Sequence, residues 1–334
     1  MRRRNVVRFA SLSAALAAWP TSGQQPSWTP ALTSFGQPDL SGVWLSNSAT
    51  PLQRPSALAG RASLSDEEVA EFRRRADRLF RSGINSDFSV GDAVFQALLD
   101  NPAVYHNPNA TAGASEMIEL VIDNRTSLIT DPPDGRLPPV TPAAQQRQDD
   151  AAAAFRQPRS PADLGGPARC ISWGVPRLGG RYGAGDMSYY QIVQSPGYVV
   201  LILETGHEAR IVPLDGSPHI APTLRQWSGD SRGHWEGDTL VIDTTNFSSA
   251  SFFMGATENL HVVERLRRVA ADRIDYTMTL IDPTTWERSW TAMLPLRHRD
   301  EPLYEAACHE GNYEVVSAVL LGARAAAESS RDPR

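Results

Sequence analysis

The chain has 334 residues, 41% of them hydrophobic and 21% charged, the balance of a folded protein rather than a disordered one. Its 32 Lys plus Arg stand against 38 Asp plus Glu, a net charge of -6. That excludes a general nucleic-acid binder, which needs a basic surface. With 24 Gly and 25 Pro, the composition favours many turns over a long helical bundle.

The chain opens on Met1-Arg2-Arg3-Arg4, followed by an apolar, Ala-rich run over 9–19 and the small residues Thr21-Ser22-Gly23. This is the layout of a signal peptide over 1–23, and the run is too short to span a bilayer. No second apolar stretch is long enough to span either, so the expected location is periplasmic or secreted. Residues 24–37 are polar and Pro-rich and read as a linker. A single domain is expected over 38–327, with a disordered tail over 328–334.

Within that domain, Ser65 and Glu68 form a capping box that starts a helix over 65–82. A second short helix is expected over 90–100, and an Ala/Gln-rich one over 142–156. Strands are expected over 117–122 and 127–131. From residue 188 the pattern becomes a meander, with strands over 189–194, 198–205, 209–213, 231–235, 239–245, 261–269, 273–281 and 286–296. Ile274, Tyr276, Met278 and Leu280 alternate with Asp275, Thr277 and Thr279, the period of a half-buried antiparallel strand. A final helix is expected over 313–327. Short strands at steady spacing with tight turns point to a closed or nearly closed antiparallel sheet. The fold class is therefore mainly β, an antiparallel barrel with helical insertions before it and a helix after it.

Two cysteines, Cys170 and Cys308, suggest one disulfide in an exported protein. The bond would hold 171–176 beside His309-Glu310-Gly311-Asn312.

Gly42-Val43-Trp44 opens the first strand, and Gly-x-Trp at that place resembles the lipocalin-type barrel signature. Four longer stretches carry a wider resemblance: Arg125 to Ile129, Arg210 to Gly216, Gly233 to Leu240, and Cys308 to Tyr313. They are similar to a widespread family of exported bacterial proteins, over about residues 38 to 324. The resemblance implies export and one continuous domain, and it carries no activity.

The chemistry has to come from side chains. His207-Glu208, His219, His234-Trp235-Glu236, His261 and His309-Glu310 fall in the β-rich part. A carboxylate near an imidazole orients it and raises its basicity, which suits acid–base work. Neighbours on a strand face opposite ways, so useful pairs must come from different segments. The expected catalytic set is His207, His234 and His309, with Glu208 or Glu310 orienting them. Glu204 and Asp243 lie at the ends of apolar runs, where a raised pKa would make an acid; both would equally suit strand ends in water. Glu264-Arg265 reads as part of a structural ion-pair lattice.

Arg210 or Arg288 would hold an anionic group. Trp235, Tyr276, Trp286 and Trp290 would supply apolar walls, with Trp286 and Trp290 on one strand face and Arg288 between them. A packed core is the competing reading for the tryptophans.

His207, His219, His234 and His309 could supply metal ligands, but no metal-binding spacing is present. No Gly-x-Ser-x-Gly elbow occurs. Gly165-Gly166 and Gly179-Gly180 lack the context of a phosphate loop, so no organic cofactor is expected. The leading expectation is a cofactor-free acid–base enzyme (lyase, isomerase or hydrolase) acting on a small apolar or aromatic compound. The alternatives are a non-catalytic periplasmic binder of a hydrophobic small molecule and a metal-dependent hydrolase.

Overall fold

A computed structural model describes residues 28–46, 48–81, 95–96, 98–100, 122–172, 174–176, 189–204, 206, 208–250, 253–305 and 307–329. The segment expected to be a signal peptide, most of the strand expected over 117–122, His207 and Trp173 lie outside the described residues.

The described strands are β1 (Gly42–Leu45), β2 (Ile129–Asp131), β3 (Tyr189–Ser195), β4 (Tyr198–Leu203), β5 (Ala209–Pro213), β6 (Asp230–Glu236), β7 (Thr239–Thr245), β8 (His261–Ala270), β9 (Arg273–Ile281) and β10 (Trp290–Arg299). They form one sheet in the order β5-β4-β3-β1-β10-β9-β8-β7-β6, and β2 adds to β10 beside this path. Neighbours pair antiparallel, as short connections require. The sheet curls into a nearly closed barrel.

The two sheet ends, β5 and β6, meet through side chains rather than through a ladder. Their closest approach is at Gly233, where a Cβ would lie 2.7 Å from both Val212 Cγ1 and Leu214 Cδ2. Only glycine lets the strands come this near.

Strand alternation sets what the lumen contains. On β9, Ile274, Tyr276, Met278 and Leu280 are buried and their neighbours are half-exposed. On β10, Trp290, Ala292 and Leu294 do the same. On β8 the inward row is Val262, Glu264 and Leu266, so a carboxylate enters the core. One end is plugged by Trp44, fully buried, whose indole N–H donates to the Leu40 carbonyl at 2.9 Å. The Arg268 guanidinium stacks 5.2 Å from the Trp44 ring centre.

Among the described residues, the helices of fifteen residues or more are α1 (Asp66–Arg81), α2 (Pro142–Arg156) and α3 (Asn312–Ser329). The capping box of α1 forms as expected. Glu68 N–H donates to Ser65 Oγ at 3.2 Å, and Ser65 N–H donates to the Glu68 carboxylate at 2.8 Å. The Thr141 hydroxyl caps α2 by accepting from Ala144 N–H at 3.1 Å. α1 packs with Leu58, Leu64, Phe95 and Leu98 in a second small core apart from the lumen. α3 buries no residue. Among the described residues, no helix is long and apolar enough to cross a membrane.

The Cys170–Cys308 disulfide is present and spans 138 residues of sequence. It sets the turn before α3 against the loop around 170, where the Asn312 side chain donates to the Ala168 carbonyl at 2.9 Å.

The sequence places 286–296 in one strand, but β10 begins at Trp290. Trp286 instead closes a turn, its N–H donating to the Asp282 carbonyl at 2.9 Å. Asp282 fixes that turn by accepting from Thr284, Thr285 and Thr257.

Candidate functional site

Two groups of charged and polar side chains each include a residue of β8, one on each face of the sheet. The inner group lies in the lumen. Arg210 on β5 reaches across to β8, where Nη2 donates to Glu264 Oε2 at 2.7 Å. The hydroxyl of Tyr276, on β9, donates to the other carboxylate oxygen of Glu264. The Glu264 side chain is fully buried and that of Arg210 only 9% exposed.

These three line a small pocket of about 20 Å³, room for little more than one water molecule. A larger ligand is admitted only where the side chains around it give way. Val175, Tyr190, Leu201 and Leu203 supply the apolar walls. Tyr190 meets Tyr276 edge to face, with ring centres 6.3 Å apart.

Burial opposes the charge on Arg210, but the facing Glu264 carboxylate reverses this and raises its pKa further, with Glu208 adding to the effect. Tyr276 is driven well above the usual phenol range by burial first and by Glu264 second. The guanidinium therefore stays charged and the phenol stays protonated. The lumen also has donors without acceptors. Arg210 Nε is buried and has no hydrogen-bond partner among the described residues. The indole nitrogens of Trp235 and Trp290 share that condition.

The outer group is a chain of imidazoles and carboxylates. His219, on the segment after β5, places Nδ1 2.8 Å from Asp230 and Nε2 2.9 Å from Asp243. His261 Nε2 lies 2.7 Å from the other oxygen of Asp243. Arg232 Nη1 donates to Asp230 at 2.8 Å. The hydrogen bond from His261 holds the Asp243 carboxyl below its ordinary value, and the same bond raises His261. Of the two readings the sequence offers for Asp243, the raised pKa does not hold. Desolvation opposes the shift, and on this half-exposed face it does not prevail.

The structure separates most of the residues the sequence nominated. His234 lies on the outer face, its side chain 59% exposed, and pairs with Glu236. His309 and Glu310 are exposed in the turn before α3. Neither His234 nor His309 borders the lumen pocket. Glu208 accepts from the buried Ser172 hydroxyl at 3.4 Å, near Arg210. Glu204 is buried at the end of β4.

Arg210 and Tyr276 do meet, at a carboxylate read from the sequence as part of a structural ion-pair lattice. Of the Glu264-Arg265 pair, only Arg265 faces outward, to Glu236. Alternation with Val262 and Leu266 is the signal that places Glu264 inside.

Trp286 and Trp290 are both buried, with ring centres 5.6 Å apart and edge to face. They do not form a binding wall around Arg288, which points outward and pairs with Asp131 at 2.8 Å. The packed-core reading holds for both. Trp235 is half-buried against the main core. Among the described residues, no three His, Cys, Asp or Glu side chains are arranged to hold a metal ion.

No protein-family model matches the chain, and neither a curated protein nor a solved structure matches it.

Proposed function

We propose that this protein binds, in a barrel lumen that must open around it, a small and mostly apolar molecule that carries one hydrogen-bond acceptor. The observation that carries this is Arg210, a buried cation with Nε unmatched and facing apolar walls. A buried ion pair is generally no more stable than an apolar pair of similar volume, so stability alone gives no reason for this one. A buried donor without a partner also calls for an explanation. A ligand oxygen would complete both. The Glu264 carboxylate already offsets the charge on Arg210, so a neutral carbonyl suits the site better than an anion.

Binding is a better reading than acid–base turnover. Of the histidines nominated for proton transfer, His234 is on the outer face and His309 is exposed in the turn before α3. The phenol beside the pocket is a reluctant acid. The Cys170–Cys308 disulfide and the basic, then apolar, start of the chain support action outside the cytoplasm.

The test is a matched probe series: ethylbenzene, acetophenone and benzoate, with affinities measured by titration calorimetry or ligand-observed NMR. Acetophenone should bind tightest, and the paired replacement Arg210→Met with Glu264→Leu should remove its advantage over ethylbenzene. No binding of any probe to the wild type, or an advantage that survives the replacement, would overturn the reading.

A further inference from the structure

The sheet ends β5 and β6 lack a ladder, and the chain between them, 214–229, works as a strap. It leaves β5 with Leu214 N–H donating to the Gly197 carbonyl at 2.8 Å. It then folds back over the outer face of β6 and β7. At its far end it is pinned by Asn246, whose side-chain amide donates to the carbonyls of Ile220, Ala221 and Leu224 at 3.1, 3.1 and 3.2 Å. Gln226 adds backbone bonds to Asn246 and Ser248. These attachments are neutral.

Between them stands the charged one. His219 lies between Asp230 and Asp243, with Ile220 N–H donating to Asp230 at 3.1 Å and Arg232 Nε donating to the Pro218 carbonyl at 3.0 Å. Both ring nitrogens of His219 face carboxylate oxygens. Both bonds therefore form together only on the doubly protonated ring.

We propose that the β5–β6 seam is the gate of the lumen and that His219, bridging Asp230 and Asp243, is its latch. This rests on the lumen-binding reading only for its purpose. When the latch opens, the near half of the strap keeps only the single bonds of Leu214 to Gly197, Pro218 to Arg232 and Ile220 to Asp230. Val212 and Leu214 can then lift from Gly233, and β5, still paired with β4, carries Arg210 away from Glu264.

The groups facing His219 are Asp230 and Arg232 from β6, Asp243 from β7 and His261 behind Asp243 from β8. Asp215 and Arg225 lie on the strap itself, held by Ser217 N–H and the Glu258 carbonyl. Further along β6, His234 and Glu236 pair with each other. His261 is raised and Asp243 lowered by their shared bond. The His261–Asp243 bond therefore contributes stability above the lowered carboxylate value, and that contribution is lost as pH rises through the raised His261 value.

Hydrogen exchange of the full chain, read by mass spectrometry at pH 6 and pH 8.5 and corrected for the intrinsic rate, tests the latch. In the wild type, amides of 209–220 should exchange roughly tenfold faster at the higher pH relative to those of β8 and β9, the scale of one charge-assisted bond. His219→Gln should show the fast exchange at both values. Equal relative exchange of the wild type at the two values, or a variant that keeps the low-pH protection, would overturn the proposal. If His219→Gln does not fold, the wild-type pair of measurements decides alone. No ligand enters this experiment, so its failure leaves the binding reading standing, and a failed probe series leaves the gate standing.

Discussion

β8 carries charged groups on both faces, and Glu264 on the inner face and His261 on the outer behave differently because water reaches only one of them. Glu264 points into the lumen, where Arg210 and Tyr276 satisfy it and its side chain is fully buried. Three residues earlier, His261 points outward to Asp243, and both are more than a third exposed. The residue types are alike. In the lumen a lost partner leaves a charge that water cannot reach. On the outer face water replaces a lost partner cheaply, and what remains is sensitivity to pH. The inner group thus suits holding a ligand, and the outer one suits holding a strap.

The largest effect expected is from Glu264→Ala. It leaves Arg210 charged and unpaired in the lumen and should cost about 3–5 kcal/mol in urea unfolding. Replacing both partners, Arg210→Met with Glu264→Leu, should come close to wild-type stability by the same argument. A single variant as mild as an outer-face one would erase the contrast between the two groups.

Next is Cys170→Ser. It frees the loop that sets Val175 at the pocket and should cost about 2–5 kcal/mol. Gly233→Ala comes third, because its methyl group meets Val212 and Leu214 at the seam. Overpacking there should cost about 1–3 kcal/mol and raise exchange in β5 ahead of β8.

Asp243→Asn on the outer face should cost no more than about 1 kcal/mol at neutral pH, since its partners are partly screened by water. The sign of its pH dependence is fixed. The wild-type advantage should be full between the carboxylate and imidazole ranges. It should vanish as pH rises through the His261 value and also as pH falls through that of Asp243. His234→Ala should change stability by less than about 0.5 kcal/mol. Its side chain is 59% exposed.

The barrel was largely legible because period-two alternation marks its strands, as on β9, and the helix over 142–156 has the bounds expected of it. The disulfide followed from two cysteines in a chain expected to be exported. The inner group was half legible. Alternation puts Tyr276 and Glu264 inward on β9 and β8, but Arg210 meets them only because β5 closes against β6. That contact is set by the seam at Gly233 and by no local pattern. The outer chain was less legible still. His219 reaches Asp230 and Asp243 because the strap doubles back, and the fold-back depends on Asn246, well beyond it in the sequence. Trp286 misled the reading because a buried turn held by Asp282 resembles the start of a strand in composition.

The central claim is that Arg210 Nε meets a ligand's acceptor, and the Nε–Hε resonance of Arg210 in 15N-arginine-labelled protein tests it most directly. The signal is assigned by its loss in Arg210→Met with Glu264→Leu. On titration with acetophenone, that resonance should move downfield in a saturable way, while ethylbenzene leaves it in place. Binding of acetophenone with the Arg210 signal unmoved would contradict the claim.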